Sequence, residues 1–166
     1  MLACCPSFPA FGAEMCAREE LKNFSASDAR CYFYAGTAAY RDKNFKLAAE
    51  NWKKLIALKG IPIELEYLRV DAYNNLGFLY FYGKETSPNK KLAVEYWTYA
   101  MNAGHEESTY HLCQVYGDSE QPTYNAKLAR GYCREGLRRY ESLKETGSQI
   151  DEIVRQMKET LSRLEG

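Results

Sequence analysis

The chain reads as all-α: a right-handed solenoid of three helix-turn-helix repeats with an extra helix at each end. Three observations predict this. Apolar residues recur at helical spacing along almost the whole length, with breaks at Gly, Pro and Ser/Asn clusters. No segment alternates in the manner of a half-buried strand. Finally, the stretch Leu76-Gly77…Tyr80…Lys91-Leu92-Ala93…Tyr96 returns without a gap, 36 residues later, as Leu112-Cys113…Tyr116…Lys127-Leu128-Ala129…Tyr132.

Taken in order, residues 1–13, "MLACCPSFPAFGA", carry no charge and end in small residues before Glu14. They read as the remnant of a secretory signal whose basic start is missing. A plain apolar tail or a misplaced start codon is the alternative. Residues 14–166 form the repeat domain. Its first helix is expected at Ala13–Phe24, the next after Ser27 through Arg41. Asn44 is placed to cap a helix running from Phe45 towards Gly60. Pro62 suits the first turn of the following helix, which ends at Gly83. Ser87-Pro88 is expected to start the helix that Gly104 ends. A helix over 106–116 and a long basic helix over 124–146 follow. Ser148 with Asp151 makes a variant capping box for the last helix, 148–165. The repeats span about 28–62, 63–104 and 105–141.

An early copy of the repeat has a shorter turn: Ala35-Gly36 stands for Leu76-Gly77, Lys46-Leu47-Ala48 for Lys91-Leu92-Ala93, and Trp52 for Trp97. In each pair the glycine and the alanine let two antiparallel helices approach, and the tryptophan one turn past the alanine covers the seam. One such pair cannot bury its own face, so pairs are expected to stack.

The segment "LGFLYFYG…NKKLAVEYWTYAMNAG" resembles the SEL-like repeat, a relative of the tetratricopeptide repeat, and "YFYAGTAAYRDKNFKLAAENWKKLIAL" is similar to a plain tetratricopeptide unit. The resemblance covers about 28–140. The third copy departs from it at Cys113, Cys133 and Gly136, which stand for glycine, tryptophan and alanine. Replacing two facing residues by cysteine is what a disulfide within the pair would look like; two buried thiols are the alternative. Cys16 and Cys31, on consecutive helices, are a second candidate pair. Some secreted members of the family staple their helix pairs in this way, so the resemblance favours an oxidising compartment: a bacterial periplasm, or the exterior.

The 22 basic and 22 acidic residues leave no net charge, which argues against nucleic acid as a partner. No apolar run is long enough to span a membrane. His111 and Cys113 lie two apart on a helix and diverge, so with Glu106 and Glu107 they make a poor metal set. Neither a nucleophile with a base nor a phosphate loop is evident, so no catalysis, metal or cofactor is expected. Arg130, Arg134 and Arg138, with Lys127 beside them, form a basic ridge. It reads either as a solvated face paired with Glu135 and Glu141 or as a dock for an acidic patch.

In a stack of such pairs the first helices line the concave side. That places Phe33, Thr37 and Tyr40 in the groove from the first repeat, with Arg30 at the rim. Asp71, Asn74, Phe78 and Phe81 come from the second, and Glu107, Tyr110 and Gln114 from the third. An aromatic floor with a mixed-charge rim suits protein binding. The alternative is internal cover by the apolar stripe Ile150, Ile153, Val154, Met157, Leu161 and Leu164 of the last helix. The resemblance implies a non-catalytic protein-binding module. Its sharpest form is a periplasmic immunity protein that neutralises a secreted antibacterial effector, such as a lipase delivered by type VI secretion. The other form is an envelope scaffold or adaptor.

Overall fold

The computed structural model describes residues 26–84, 87–143 and 147–166, and these hold seven α-helices, one 3-10 turn and no strand. The helices are α1 (Ala26–Arg41), α2 (Phe45–Ala57), α3 (Glu66–Tyr82), α4 (Lys90–Asn102), α5 (Glu106–Gly117), α6 (Ala126–Ser142) and α7 (Ser148–Glu165). The 3-10 turn, Ile63–Leu65, starts behind Pro62 and leads into α3. None of the described helices is long and apolar enough to cross a membrane. The leader, the helix expected at Ala13–Phe24 and Cys16 lie outside the described residues.

Asparagine opens the second helix of each pair. Asn44, Asn89 and Asn125 each turn a side-chain oxygen onto the backbone N–H of a leucine three residues on: Leu47 at 3.2 Å, Leu92 at 3.0 Å and Leu128 at 3.1 Å. Each bond satisfies one donor that the first helical turn leaves orphaned. The start expected at Ser87-Pro88 therefore falls one residue late, at Asn89. The reason is local: the Asn89 N–H donates to the Tyr80 carbonyl at 2.9 Å, which fixes it as the cap. Pro88 instead packs on Gly83, whose φ of 65° no ordinary side chain adopts readily, and a Cβ there would meet the proline ring at 2.6 Å. The capping box expected at Ser148 does not form. Gly147 takes the cap position without a side-chain bond, and Ser148 is already helical. At α2 the helix stops at Ala57 rather than continuing to Gly60, because Leu58 is extended.

The chain divides into two compact units, one through Ala72 and one from Tyr73, with the boundary inside α3. In the first unit, α1 packs on α2 through Ala29, Ala35, Ala39 and Ala48, and all four are buried. Small residues at the seam let the two backbones approach. Gly36 lies directly beneath the Trp52 indole: a Cβ on it would come within 2.5 Å of Nε1 and 2.6 Å of Cδ1. The indole N–H in turn donates to the Phe33 carbonyl at 3.3 Å.

Inside the second unit the same arrangement recurs. A Cβ on Gly77 would come within 2.5 Å of Trp97 Nε1 and 2.6 Å of Cδ1, and the indole N–H donates to the Asn74 carbonyl at 3.2 Å. Trp97, Ala93, Leu112 and Val115 make one core cluster, with Phe78, Phe81 and Tyr132 against it. A second cluster joins Cys113, Cys133, Tyr140 and Met157. Helix α7 is seated there on two glycines. A Cβ on Gly136 would strike Met157 Sδ at 2.5 Å, and one on Gly117 would strike Thr160 Cγ2 at 2.5 Å. Gly136 stands where the preceding copy has Ala100, and the missing methyl is the space that Met157 fills.

Candidate binding surfaces

Cys113 and Cys133 are joined by a disulfide, with Cα atoms 4.7 Å apart. They occupy the positions that Gly77 and Trp97 hold one copy earlier, so a covalent bond replaces an indole resting on a glycine. Cys31 is also disulfide-bonded; its expected partner, Cys16, lies outside the described residues.

In the first unit, Phe33 is half-buried and meets Tyr34 edge to face at 5.5 Å, while Tyr34 itself is exposed. The Thr37 hydroxyl donates to the Phe33 carbonyl at 2.9 Å, so it is spent on its own helix. Tyr40 packs on Phe45 at 5.4 Å and on Trp52 at 6.0 Å. Arg30 is exposed and Asp71 half-buried. Of this set, the Tyr40 ring belongs to the α1–α2 seam.

The second unit brings the α3 and α5 residues together, and not in equal roles. Asn74, expected in the groove, is only 6% exposed. Its amide N–H donates to Glu107 at 3.2 Å, and its oxygen accepts from the Ser108 hydroxyl at 2.8 Å. With its carbonyl under Trp97, Asn74 ties α3 to α4 and α5 and presents nothing to a partner. Phe81 packs on Trp97 at 5.4 Å, with Lys90 Nζ 5.5 Å from its ring centre. Phe78 lies 4.6 Å from Tyr82 and 6.5 Å from His111. Tyr82 is 55% exposed and is the most accessible ring of this patch. Tyr110 and Gln114 turn towards α7: the Tyr110 hydroxyl donates to Gln156, and Gln114 accepts from the Thr160 hydroxyl at 3.3 Å. The apolar stripe of α7 thus covers the third pair, while Phe78 and Tyr82 stay outside it.

The patch has an unusual electrostatic floor. His111 stacks on Trp97 at 4.7 Å, and burial, with a further push from His105, lowers its pKa to about 4. It is neutral at pH 7 and cannot neutralise Glu107, whose carboxylate lies 3.9 Å from its Nε2. Burial raises the Glu107 pKa, against the Asn74 bond that lowers it. His105 caps α5, its Nδ1 accepting from the Ser108 N–H at 3.3 Å. Histidine is an uncommon cap, so nothing in the local pattern pointed to that role.

The basic ridge is largely consumed within the molecule. Arg130 donates to the Leu164 carbonyl at 3.1 Å, Arg134 pairs with Glu165 at 2.6 Å, and Arg138 with Glu135 at 2.7 Å. Glu135 is the partner expected for the ridge; Glu165 takes the place expected for Glu141. The Arg138 and Arg139 bonds hold the Glu135 carboxyl down to about 2. On another side of the unit, Tyr80 faces Tyr96 at 5.7 Å and Tyr116 faces Tyr132 at 5.6 Å, one copy apart. Tyr73 meets Tyr99 at 3.9 Å. Many of the tyrosines are thus helix-seam residues. Among the described residues, no group of three or more His, Cys, Asp or Glu side chains could hold a metal ion.

Compared with protein-family models, with curated proteins and with solved structures, the chain matches none.

Proposed function

We propose that this chain is a non-catalytic protein-binding module of the SEL-like, tetratricopeptide-related kind, in which three helix pairs stack as a right-handed solenoid. The observation that carries this reading is the recurrence of one seam. Gly36 under Trp52 and Gly77 under Trp97 have the same geometry, and a disulfide takes their place in the third pair. A chain that repeats a packing device in this way is built to extend a surface, and the half-open patch of Phe78 and Tyr82 supplies one. Aromatic rings with few rotatable bonds are what protein interfaces use as anchors.

The compartment belongs to the same proposal. A buried disulfide in place of a core contact is compatible with a periplasmic or secreted protein. Within it, an immunity protein that binds one secreted antibacterial effector tightly is the first reading, and an envelope scaffold with several weak partners is the second. Removing the gene from a cell that keeps its effectors separates them. Killing by sibling cells, reversed by returning this chain to the periplasm, is the antidote's signature. Unchanged survival together with an envelope assembly defect would replace it with the scaffold.

A further inference from the structure

A glycine in the body of a helix weakens it, because its backbone gives up more freedom there than that of alanine. Gly36, Gly77, Gly117 and Gly136 each admit a neighbour in exchange: Trp52, Trp97, Thr160 and Met157 lie 2.5 Å from where a Cβ would stand. Gly131, inside α6, does not. It is exposed, and among the described residues nothing lies within 4 Å of its Cβ position. The 36-residue offset puts it where the second copy has Glu95, and the Trp52–Trp97 match puts Glu50 there in the first. Both glutamates are exposed, and both are far better helix formers.

The surface around Gly131 is open as well. Residues three, four and seven apart share one side of a helix. On this side Lys127, Leu128, Arg134 and Arg138 are exposed and Glu135 is half-buried. Helix α7 covers a different side of α6, with Met157 against Cys133, Gly136 and Tyr140. The open side is complementary to itself. When two antiparallel copies of α6 cross at Gly131, residues equally far before and after it meet, as two-fold symmetry requires. Lys127 then comes opposite Glu135 of the other copy, and Glu135 opposite its Lys127. Leu128 lies on the methylenes of the other Arg134. The two glycines meet on the axis, where no Cβ holds the backbones apart. Parallel packing would instead set Lys127 against Lys127, and a glutamate at 131 would set two carboxylates together.

We infer that the exposed side of α6 docks a second copy of this chain, α6 against α6, antiparallel about a two-fold axis at Gly131. One helix side is smaller than a standard interface, so the dimer is weak, half-formed at about 100 μM.

The test is sedimentation equilibrium of the full chain from about 10 μM to about 1 mM, which brackets that midpoint. Gly131→Glu restores the residue of the earlier copies, so it is expected to fold at least as well as the parent while dimerising about tenfold more weakly. Lys127→Glu and Glu135→Lys, each checked for folding, are each expected to weaken the dimer several-fold. Mixed together they are expected to restore it, because each new charge then meets its opposite across the axis. Glu135 also holds Arg138 and Arg139; should its replacement unfold the chain, Gly131→Glu and Lys127→Glu decide alone. A chain that stays monomeric across the range, or a dimer that Gly131→Glu leaves intact, overturns the inference. So does a pair of folded charge variants that fail to restore the dimer on mixing. Phe78 and Tyr82 belong to α3 and take no part in this contact, so the outcome is independent of whether their patch binds a protein.

Discussion

Gly77 lies so close beneath Trp97 that a Cβ on it would come within 2.5 Å of the indole nitrogen, and Gly36 stands in the same relation to Trp52. The two contacts define the helix pair. The indole fills the space left by the missing side chain, covers the seam, and locks itself by donating to the carbonyl three residues before the glycine.

Gly77→Ala is therefore expected to destabilise, although alanine favours a helix by about 1 kcal/mol over glycine. The atom that must yield belongs to a rigid, buried ring, and overpacking of that kind costs about 1–3 kcal/mol. Chemical denaturation should give a lower midpoint for Gly77→Ala and for Gly36→Ala, whereas Gly131→Ala, with open space at its Cβ, should be neutral or stabilising.

In the third pair the disulfide does the work of the indole. It closes a sequence separation of 20 residues, worth about 3 kcal/mol in the chain-entropy account. Cys113→Ala with Cys133→Ala should lose about that much in denaturant unfolding and should no longer respond to reductant in the second unit. A double variant as stable as the parent under oxidising conditions would show that packing alone holds the pair.

Acid should destabilise the second unit. His111 has a folded-state pKa of about 4, below its ordinary value of 6.5. The unfolded chain therefore binds more protons between those values, and stability falls as pH drops from about 6.5 towards 4. Above 6.5 this contribution is flat. Glu107, whose pKa is raised, opposes the trend around and above its ordinary value of 4.5. Glu135 and Glu152, both held down to about 2, contribute stability that is lost below about 4.5. Unfolding midpoints measured at pH 7, 6 and 5 should fall, and His111→Phe should flatten the profile between 5 and 7.

The helices were legible because periodicity and punctuation agree: the Asn44 cap and the 36-residue offset reappear as contacts, whereas the caps at Asn89 and Asn125 were not read. The Cys113–Cys133 bond was legible for the same reason, since an alignment of copies places those positions face to face. Asn74 was misread because position on a helix face gives direction and not depth; three bonds to neighbouring elements bury it. Tyr82, Tyr140 and the His105 cap were missed. The His105 cap is local, but histidine is an uncommon one, and the burial of Tyr140 and the exposure of Tyr82 on α3 depend on tertiary packing that no local pattern encodes. Ser148 misled because capping residues signal a helix start only to within a residue or two.

The proposed binding surface is tested most directly by affinity capture of the tagged chain from its own organism, with partners quantified by mass spectrometry. Tyr82→Asp, checked for folding, is run beside it. One stoichiometric partner, captured at least tenfold less by the variant, is the result expected of a binding module that uses the Phe78 and Tyr82 patch. A partner held equally by both chains, or no stoichiometric partner at all, would contradict it.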